Sequence, residues 1–195
     1  MIETLLVILL GFQPFYGDTE TPAARKDRLT IMAKAIGRAV AGANCHDDDE
    51  PGCLPVVTET EALPLAAALV TQAFWESGLA RHVHEGKCRK GECDGGRARS
   101  PWQFQPVPPV FHVSIRELWW KYKGADQDST DDAAWAAALI LARAHDNCGT
   151  WEGAIAQYAT GSRCKWSGTE RRMVTFRRVL AKLEGDADGG EGDED

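Results

Sequence analysis

Apolar residues recur along this chain at the three- and four-residue spacing of amphipathic helices. The first clear example follows Thr21 and Pro22, which suit the N-cap and the first position of a helix. One face of that segment carries five apolar residues: Leu29, Met32, Ala33, Ile36 and Val40. The pattern predicts helices over residues 22–42, 59–80, 113–123, 151–158 and 168–183, with an Ala-rich helix, capped by Thr130-Asp131-Asp132, that ends near Asp146.

Strand-like alternation is weak throughout the sequence. Residues 97–105 have the pattern of a short hairpin, and they lie within a long segment over residues 81–111 that is rich in Gly, Pro and charge. The sequence therefore predicts a mainly α fold with one long loop and, within that loop, a small β-hairpin.

The length and composition indicate one folded domain with an acidic end. The chain has 195 residues, of which 44% are hydrophobic, so it can bury a core. Its formal net charge is −7, but residues 184–195 hold seven acids and no base, so residues 1–183 carry a formal net charge of zero. We expect a domain over residues 21–183 and a disordered acidic tail after it. A uniformly basic nucleic-acid binder is excluded, and no nucleic-acid partner is expected.

The first residues allow two interpretations. The run from Ile2 to Phe12 is almost entirely apolar, which suits either the core of a signal peptide or the first buried helix of the domain. It is too short to span a membrane. Residues 1–20 are therefore an apolar N-terminal segment, signal-like or helical, and no stable membrane span is expected.

Six cysteines form three local pairs along the chain, each bracketing a polar or Gly-containing stretch: Cys45 and Cys53, Cys88 and Cys93, Cys148 and Cys164. Disulfides in these pairs are the favoured interpretation, although six cysteines allow 15 connectivities. Bridges of this kind predict export to the periplasm or the cell exterior. Free thiols are one alternative. A zinc site is another, but the spacing of His82, His84, Cys88 and Cys93 fits it poorly.

Glu76 interrupts the apolar pattern of the predicted helix over residues 59–80. It shares a face with apolar and small residues at helical spacing: Leu65, Leu69, Ala73 and Ala80. A carboxyl group in such a place is either paired with a cation or kept protonated by desolvation. A raised pKa suits a general acid that works near neutral pH. The alternative is a structural glutamate at the helix rim, bonded to an arginine of the following loop.

Two later segments carry groups suited to binding a sugar. In the first, Asp94 precedes two glycines that allow tight turns, and Trp102 and Gln103 follow. Trp102 offers a flat apolar face, and Gln103 offers both a donor and an acceptor. In the second, Tyr158 lies in the last turn of a predicted helix that ends at Gly161.

Three short motifs carry a family resemblance. They are Glu76-Ser77, Ser100-Pro101-Trp102-Gln103 and Tyr158-Ala159-Thr160-Gly161. In order and rough spacing they resemble the signatures of the soluble lytic transglycosylase and goose-type lysozyme superfamily: a Glu-Ser pair at a helix end, a Gly-Leu-Met-Gln loop and an Ala-Tyr-Asn-Ala-Gly helix end. The resemblance covers about residues 60–165. It implies a lysozyme-like α fold and a glycosidase that cleaves the β-1,4 bond between N-acetylmuramic acid and N-acetylglucosamine in peptidoglycan.

The same resemblance implies roles for single residues. Glu76 is the expected catalytic acid, and the residues expected on the substrate-binding side are Ser77, Trp102, Gln103 and Tyr158. Ser77 is also expected to help hold the glutamate or its loop. The chain departs from the family pattern where Ser100, Pro101 and Trp102 replace Gly-Leu-Met and where Ala159 replaces an asparagine. These departures bear on the shape of the cleft.

A glycosidase usually needs two carboxyl groups. The candidates for a second one are Glu85 and Asp94, although either could pair with a nearby arginine instead. A mechanism with Glu76 alone is chemically sound, because the acetamido group of the substrate can stabilise the developing cation. No metal or cofactor is expected. Hydrolysis and formation of a 1,6-anhydro sugar both remain open, as does any preference for the peptide stem.

Two other classes of protein remain open. A non-catalytic wall-binding module could use tryptophans as stacking platforms, and the chain has seven: Trp75, Trp102, Trp119, Trp120, Trp135, Trp151 and Trp166. A structural disulfide-rich interaction protein is the second. In every case we expect a monomer, of bacterial or phage origin, and for the enzyme a partner in peptidoglycan glycan strands. The basic last helix suits such an anionic wall but is also an ordinary solvated face.

Overall fold

The computed structural model describes residues 1–13, 20–45, 53–54, 56–88, 93–165 and 167–188. Within these residues the chain forms nine α-helices and two short 3₁₀ turns, at Glu59–Glu61 and Ser167–Thr169. The helices are α1 (Ile2–Leu10), α2 (Pro22–Ala43), α3 (Ala62–Ser77), α4 (Arg81–His84), α5 (Cys93–Gly96), α6 (Ile115–Lys121), α7 (Gln127–Cys148), α8 (Trp151–Thr160) and α9 (Glu170–Asp188). The predicted mainly α fold is confirmed.

The centre of the molecule is α3. Its residues 65–73 are all buried, so this helix is covered on every side. The two longest helices, α2 and α7, pack against each other and against α3, while α8 and α9 cover its remaining sides. Many of the buried positions are alanines, which let helix backbones approach closely. Glu76 therefore stands in the last turn of the most enclosed helix of the fold.

Two of the three helix ends assigned from the sequence are confirmed. Thr21 caps α2 by accepting a hydrogen bond from the Ala24 amide at 3.2 Å, and Gly161 ends α8 in the left-handed region at φ 78°. The expected cap of α7 at Thr130 is wrong. Asp126 caps this helix instead, because its carboxylate accepts the Ser129 amide at 2.8 Å. Thr130 is buried in the first turn of α7.

Two further expectations are corrected. Residues 97–105 contain one isolated β-bridge, between Arg99 and Phe104, in place of a hairpin. Pairing does not continue outward, because Pro106 has no amide proton and the Arg97 carbonyl accepts the Trp119 indole at 2.7 Å. Helix α9 continues to Asp188, so the expected acidic tail begins as helix. Its last residues, 189–195, lie outside the described residues.

The N-terminal segment is the helix α1, which matches the buried-helix interpretation. Leu5, Ile8 and Leu9 are buried where α1 packs on α2 and α9. None of the helices in the part of the chain that the structure describes is long and apolar enough to cross a membrane.

All three predicted cysteine pairs are disulfides: Cys45–Cys53, Cys88–Cys93 and Cys148–Cys164. The sequence separations are 8, 5 and 16 residues, so each bridge closes a local loop.

Candidate functional site

An open cleft of about 680 Å³ lies where four parts of the chain meet. They are the end of α3, the segment over residues 93–110, one face of α7 and the end of α8. Among the residues that the sequence singles out, the cleft is lined by Glu76, Asp94, Gln103 and Tyr158, together with Ala159, Thr160 and Gly161. All three motifs of the family resemblance therefore contribute to one cavity, although about 85 residues separate the first from the last.

Glu76 lies in a hydrogen-bonded network on one side of the cleft. The Arg172 guanidinium of α9 donates through Nη1 to Glu76 Oε1 and, at 2.7 Å, to Gln72 Oε1. The Gln72 amide donates in turn to the Ile155 carbonyl of α8 at 3.0 Å. We call Gln72, Glu76 and Arg172 the inner wall, of which Glu76 lines the cleft while Gln72 and Arg172 lie outside its lining. The network joins α3, α8 and α9, and 21% of the Glu76 side chain remains exposed.

Burial raises the pKa of Glu76 above its ordinary value of 4.5. The Arg172 charge and hydrogen bond act in the opposite direction, and the negative charge of Asp94 adds to the rise. Desolvation is the largest of these effects, so the pKa shift is upward although a cation touches the carboxyl group. Both sequence-based interpretations of Glu76 therefore hold in part, because the group is paired with a cation and burial raises its pKa.

The arginine that pairs with Glu76 comes from the last helix and not from the following loop, as the structural alternative had expected. Arg172 lies 96 residues further along the chain. In the sequence it is one of several bases on α9, and nothing local distinguishes it from its neighbours Arg171, Arg177 and Arg178.

Trp102 is not a stacking platform, which corrects the expectation for this residue. Its side chain is 0% exposed, and its Nε1 donates to the Leu69 carbonyl of α3 at 2.9 Å. An indole in this position packs in the core and cannot meet a sugar ring. Its function is to anchor the segment that follows α5 onto α3.

Gln103 and Tyr158 both line the cleft, as expected. Gln103 has left-handed backbone, and its Nε2 donates to the Ser100 carbonyl at 2.8 Å, which fixes the side chain against its own turn. The Tyr158 hydroxyl donates to the Trp102 carbonyl at 2.9 Å and so ties α8 to that turn. Burial, and then the Glu76 charge, raise the pKa of Tyr158, which keeps its hydroxyl protonated.

The two candidate second carboxylates lie in different surroundings. Asp94 lines the cleft, has left-handed backbone at φ 50°, and accepts a hydrogen bond from Gln105 Nε2 at 2.7 Å. Glu85 does not line the cleft. It binds Arg81 at 2.5 Å and Lys87 at 3.0 Å, so the expectation that it is a cleft carboxylate is wrong.

Ser77 is buried and does not reach the cleft, so it is not a substrate ligand. Its hydroxyl donates to the Ala73 carbonyl at 2.6 Å and accepts the Leu79 amide at 3.2 Å. These two bonds hold the turn at Gly78 that ends α3. The other expected role, holding the loop after Glu76, agrees with this geometry.

One face of α7 forms the side of the cleft that the sequence analysis missed. Ile140, Arg143, Ala144 and Asn147 line it at spacings of 3, 1 and 3 residues, and we call these four residues the outer wall. The spacing is that of a helix face. In the sequence it is hidden, because the apolar pattern of α7 marks the opposite, core-facing side.

The zinc alternative does not fit the cysteines. Cys88 and Cys93 are bonded to each other and cannot act as thiolate ligands. Within the described residues no group of three or more His, Cys, Asp and Glu side chains could hold a metal ion.

Comparison of the chain with models of protein families, with curated proteins and with solved structures finds no match.

Proposed function

We propose that this protein cleaves the β-1,4 bond between N-acetylmuramic acid and N-acetylglucosamine in peptidoglycan, with Glu76 as the catalytic acid. One observation carries the proposal. A partly buried carboxyl group with a raised pKa lines an open cleft together with Gln103 and the end of α8. These are the three segments that resemble the lytic transglycosylases and goose-type lysozymes. The cleft volume lies within the roughly 300–1,000 Å³ of ligand sites.

The chemistry needs one carboxyl group of the protein. Protonated Glu76 gives its proton to the glycosidic oxygen, the bond from C1 to that oxygen breaks, and the bonding electrons leave with the oxygen. The acetamido oxygen of the substrate bonds to C1 and stabilises the positive charge. Ionised Glu76 then removes a proton from the nucleophile that displaces the acetamido oxygen. If the nucleophile is the C6 hydroxyl of the same sugar, the product is a 1,6-anhydro sugar. If the nucleophile is water, the product is a sugar with a free reducing end.

Arg172 serves in this proposal as a positioning residue. It donates to Oε1 of Glu76, so the transferable proton belongs on Oε2. Its positive charge also favours the ionised carboxylate that acts as base in the second step. Gln72, fixed by the Ile155 carbonyl, keeps the guanidinium in place.

The cysteines support a cellular compartment for the proposed enzyme. Three disulfides persist in an oxidising compartment and not in a reducing cytosol, so we propose that the protein acts on the wall after export.

The test compares two glutamates that both pair with an arginine of α9. Glu76→Gln should keep the fold and lower cleavage of purified peptidoglycan at least about 100-fold, since general acid catalysis contributes about 10²–10⁴-fold. The matched control is Glu152→Gln. Glu152 pairs with Arg177 at 3.4 Å on the exposed side of α8 and should be dispensable. Turbidity clearing gives the rate, and mass spectrometry of the products separates anhydro from hydrolysed ends. Clearing by Glu76→Gln at the wild-type rate would contradict the proposal.

A non-catalytic wall-binding module is the second candidate, because the ion pair between Arg172 and Glu76 is also what a structural glutamate forms. Binding and cleavage of peptidoglycan by the wild-type protein distinguish the two candidates. Peptidoglycan that is retained by the protein, with no soluble product by mass spectrometry, would identify a binding module.

A further inference from the structure

The outer wall holds a cation in a position where a ligand can reach it. Arg143 is exposed and lines the cleft, and its neighbours on the same face of α7 are Ile140, Ala144 and Asn147. Within the described residues Arg143 forms no ion pair with the protein. Its positive charge therefore faces the cleft and not a carboxylate of the described residues.

The guanidinium of Arg143 is held by an aromatic ring. Its central carbon lies 4.5 Å from the centroid of Phe111, within the range of a cation–π contact. Phe111 is half-buried against the core. Contact with a fixed ring reduces the conformational freedom that a long side chain loses when it binds a ligand.

Phe111 stands in a strained turn. Val110 and Val113 exchange backbone hydrogen bonds at 3.0 and 2.9 Å, so a single β-bridge closes a turn of two residues, Phe111 and His112. Both have positive φ, at 46° and 66°. Such turns favour Asn and Gly, and a bulky aromatic residue in the left-handed region is unusual. The surrounding structure stabilises this unfavourable backbone conformation, which places the Phe111 ring against the Arg143 guanidinium.

The other charged groups of the cleft are occupied. Glu76 is engaged by Arg172, and Asp94 accepts a hydrogen bond from Gln105. An anion that enters the cleft thus finds Arg143 as a cation not already paired with a carboxylate among the described residues. Asn147, one turn further along α7, lines the same wall and can donate a hydrogen bond beside it.

We infer that Arg143 binds a carboxylate group carried by the glycan substrate next to its sugar ring. This inference rests on the proposed function. Peptidoglycan offers two sources of such a group. One is the free lactyl carboxylate of stem-free glycan, and the other is a carboxylate of the peptide stem. A guanidinium presents paired donors that match a carboxylate, so the contact selects muramic-acid glycan over neutral sugar polymers of the same length.

The experiment measures binding with the full chain carrying Glu76→Gln, so that no probe is cleaved. Three probes are compared: a stem-free tetrasaccharide of alternating N-acetylglucosamine and N-acetylmuramic acid, the same tetrasaccharide with peptide stems, and the N-acetylglucosamine tetrasaccharide. Calorimetric titration should give a Kd about tenfold lower for at least one carboxylate-bearing probe than for the neutral one, as expected for one charge-assisted contact. The probe that binds tightly identifies the source of the carboxylate.

Arg143→Gln in the same background should abolish this difference, and Arg143→Lys should keep part of it. The control is Arg178→Gln, which removes one exposed positive charge on α9 outside the cleft lining. Circular dichroism checks that each variant is folded. Equal affinity of the parent for all three probes would overturn the inference and leave the proposed function standing. Binding of none of them would overturn both.

Discussion

The two walls of the cleft each carry an arginine, and the two arginines are used in opposite ways. Arg172 in the inner wall is 16% exposed and donates to Gln72 and Glu76, so its charge acts on a group of the protein. Arg143 in the outer wall is exposed and rests on Phe111. The difference teaches that burial and partners, and not residue type, decide whether a cation acts on a neighbouring carboxyl group or stays accessible from the cleft.

The contrast predicts that substitutions in and behind the inner wall lower the stability of the fold, while substitutions in the outer wall change ligand binding.

The largest effect is expected at Trp102, which anchors the turn behind the inner wall. Trp102→Ala should lower the free energy of unfolding by about 3–5 kcal/mol, because it empties a fully buried site and leaves the Leu69 carbonyl without its indole donor. Urea denaturation measures the loss. The control is Trp120→Ala, at a tryptophan that is 65% exposed, and it should change the midpoint little. Similar losses in both variants would contradict the structural role of Trp102.

Arg172→Met should have the next largest effect. It should cost about 2 kcal/mol of stability, less than the ~3–5 kcal/mol of a fully buried pair, since both side chains keep some exposure. It also removes the cation that lowers the pKa of Glu76. In the proposed mechanism Glu76 must be protonated, so the alkaline limb of the pH–rate profile should move to higher pH. An unchanged limb, measured by turbidity clearing at several pH values, would separate Arg172 from the catalytic step.

Glu76→Gln should change how stability depends on pH. Burial raises the folded-state pKa of Glu76, so its protonated form favours folding, and that contribution is complete below pH 4.5. It is lost as the pH rises through the raised pKa. The wild-type protein should therefore lose stability relative to Glu76→Gln over that interval and then run parallel to it. Urea denaturation of both proteins at a series of pH values tests this. A constant difference would mean that the carboxyl group titrates at its ordinary value.

The smallest effect on stability is expected in the outer wall. Arg143→Gln removes an exposed side chain with no ion pair in the described part of the chain, so the denaturation midpoint should stay close to that of the wild type. A clear loss of stability would show that Arg143 supports the fold, and the comparison of the two walls would then fail.

The sequence predicts the features of the fold and site that depend on residues close together in the chain. Helical periodicity located six of the nine described helices, whereas the short helices α4 and α5 lie in the segment expected as a long loop. The spacing of cysteines predicted three disulfides, and the interrupted apolar face singled out Glu76. What it missed depends on contacts between distant segments. Arg172 reaches Glu76 across 96 residues, so the partner of this glutamate could not be identified from its neighbours in the sequence.

Local reasoning also misjudged two residues that it did identify. Trp102 carries an aromatic ring suited to a sugar, but the turn at Ser100 directs the indole inward to Leu69. Thr130 has the chemistry of an N-cap, but Asp126 has it too and comes first, so the helix begins four residues earlier. In both cases the local sequence allows two structures, and packing between distant segments selects one of them.

The bridge between Cys148 and Cys164 determines which rim of the cleft can adapt to its contents. Helix α8 lies entirely within the covalent ring that this disulfide closes, and the ring contains residues 157–161 of the cleft lining. Asn147, at the end of the outer wall, immediately precedes it. This rim cannot widen without displacing α7 as well. Under the proposed function, a bulkier or branched glycan would therefore be accommodated at the opposite rim, where residues 97–113 are joined by turns and single bridges rather than by helices.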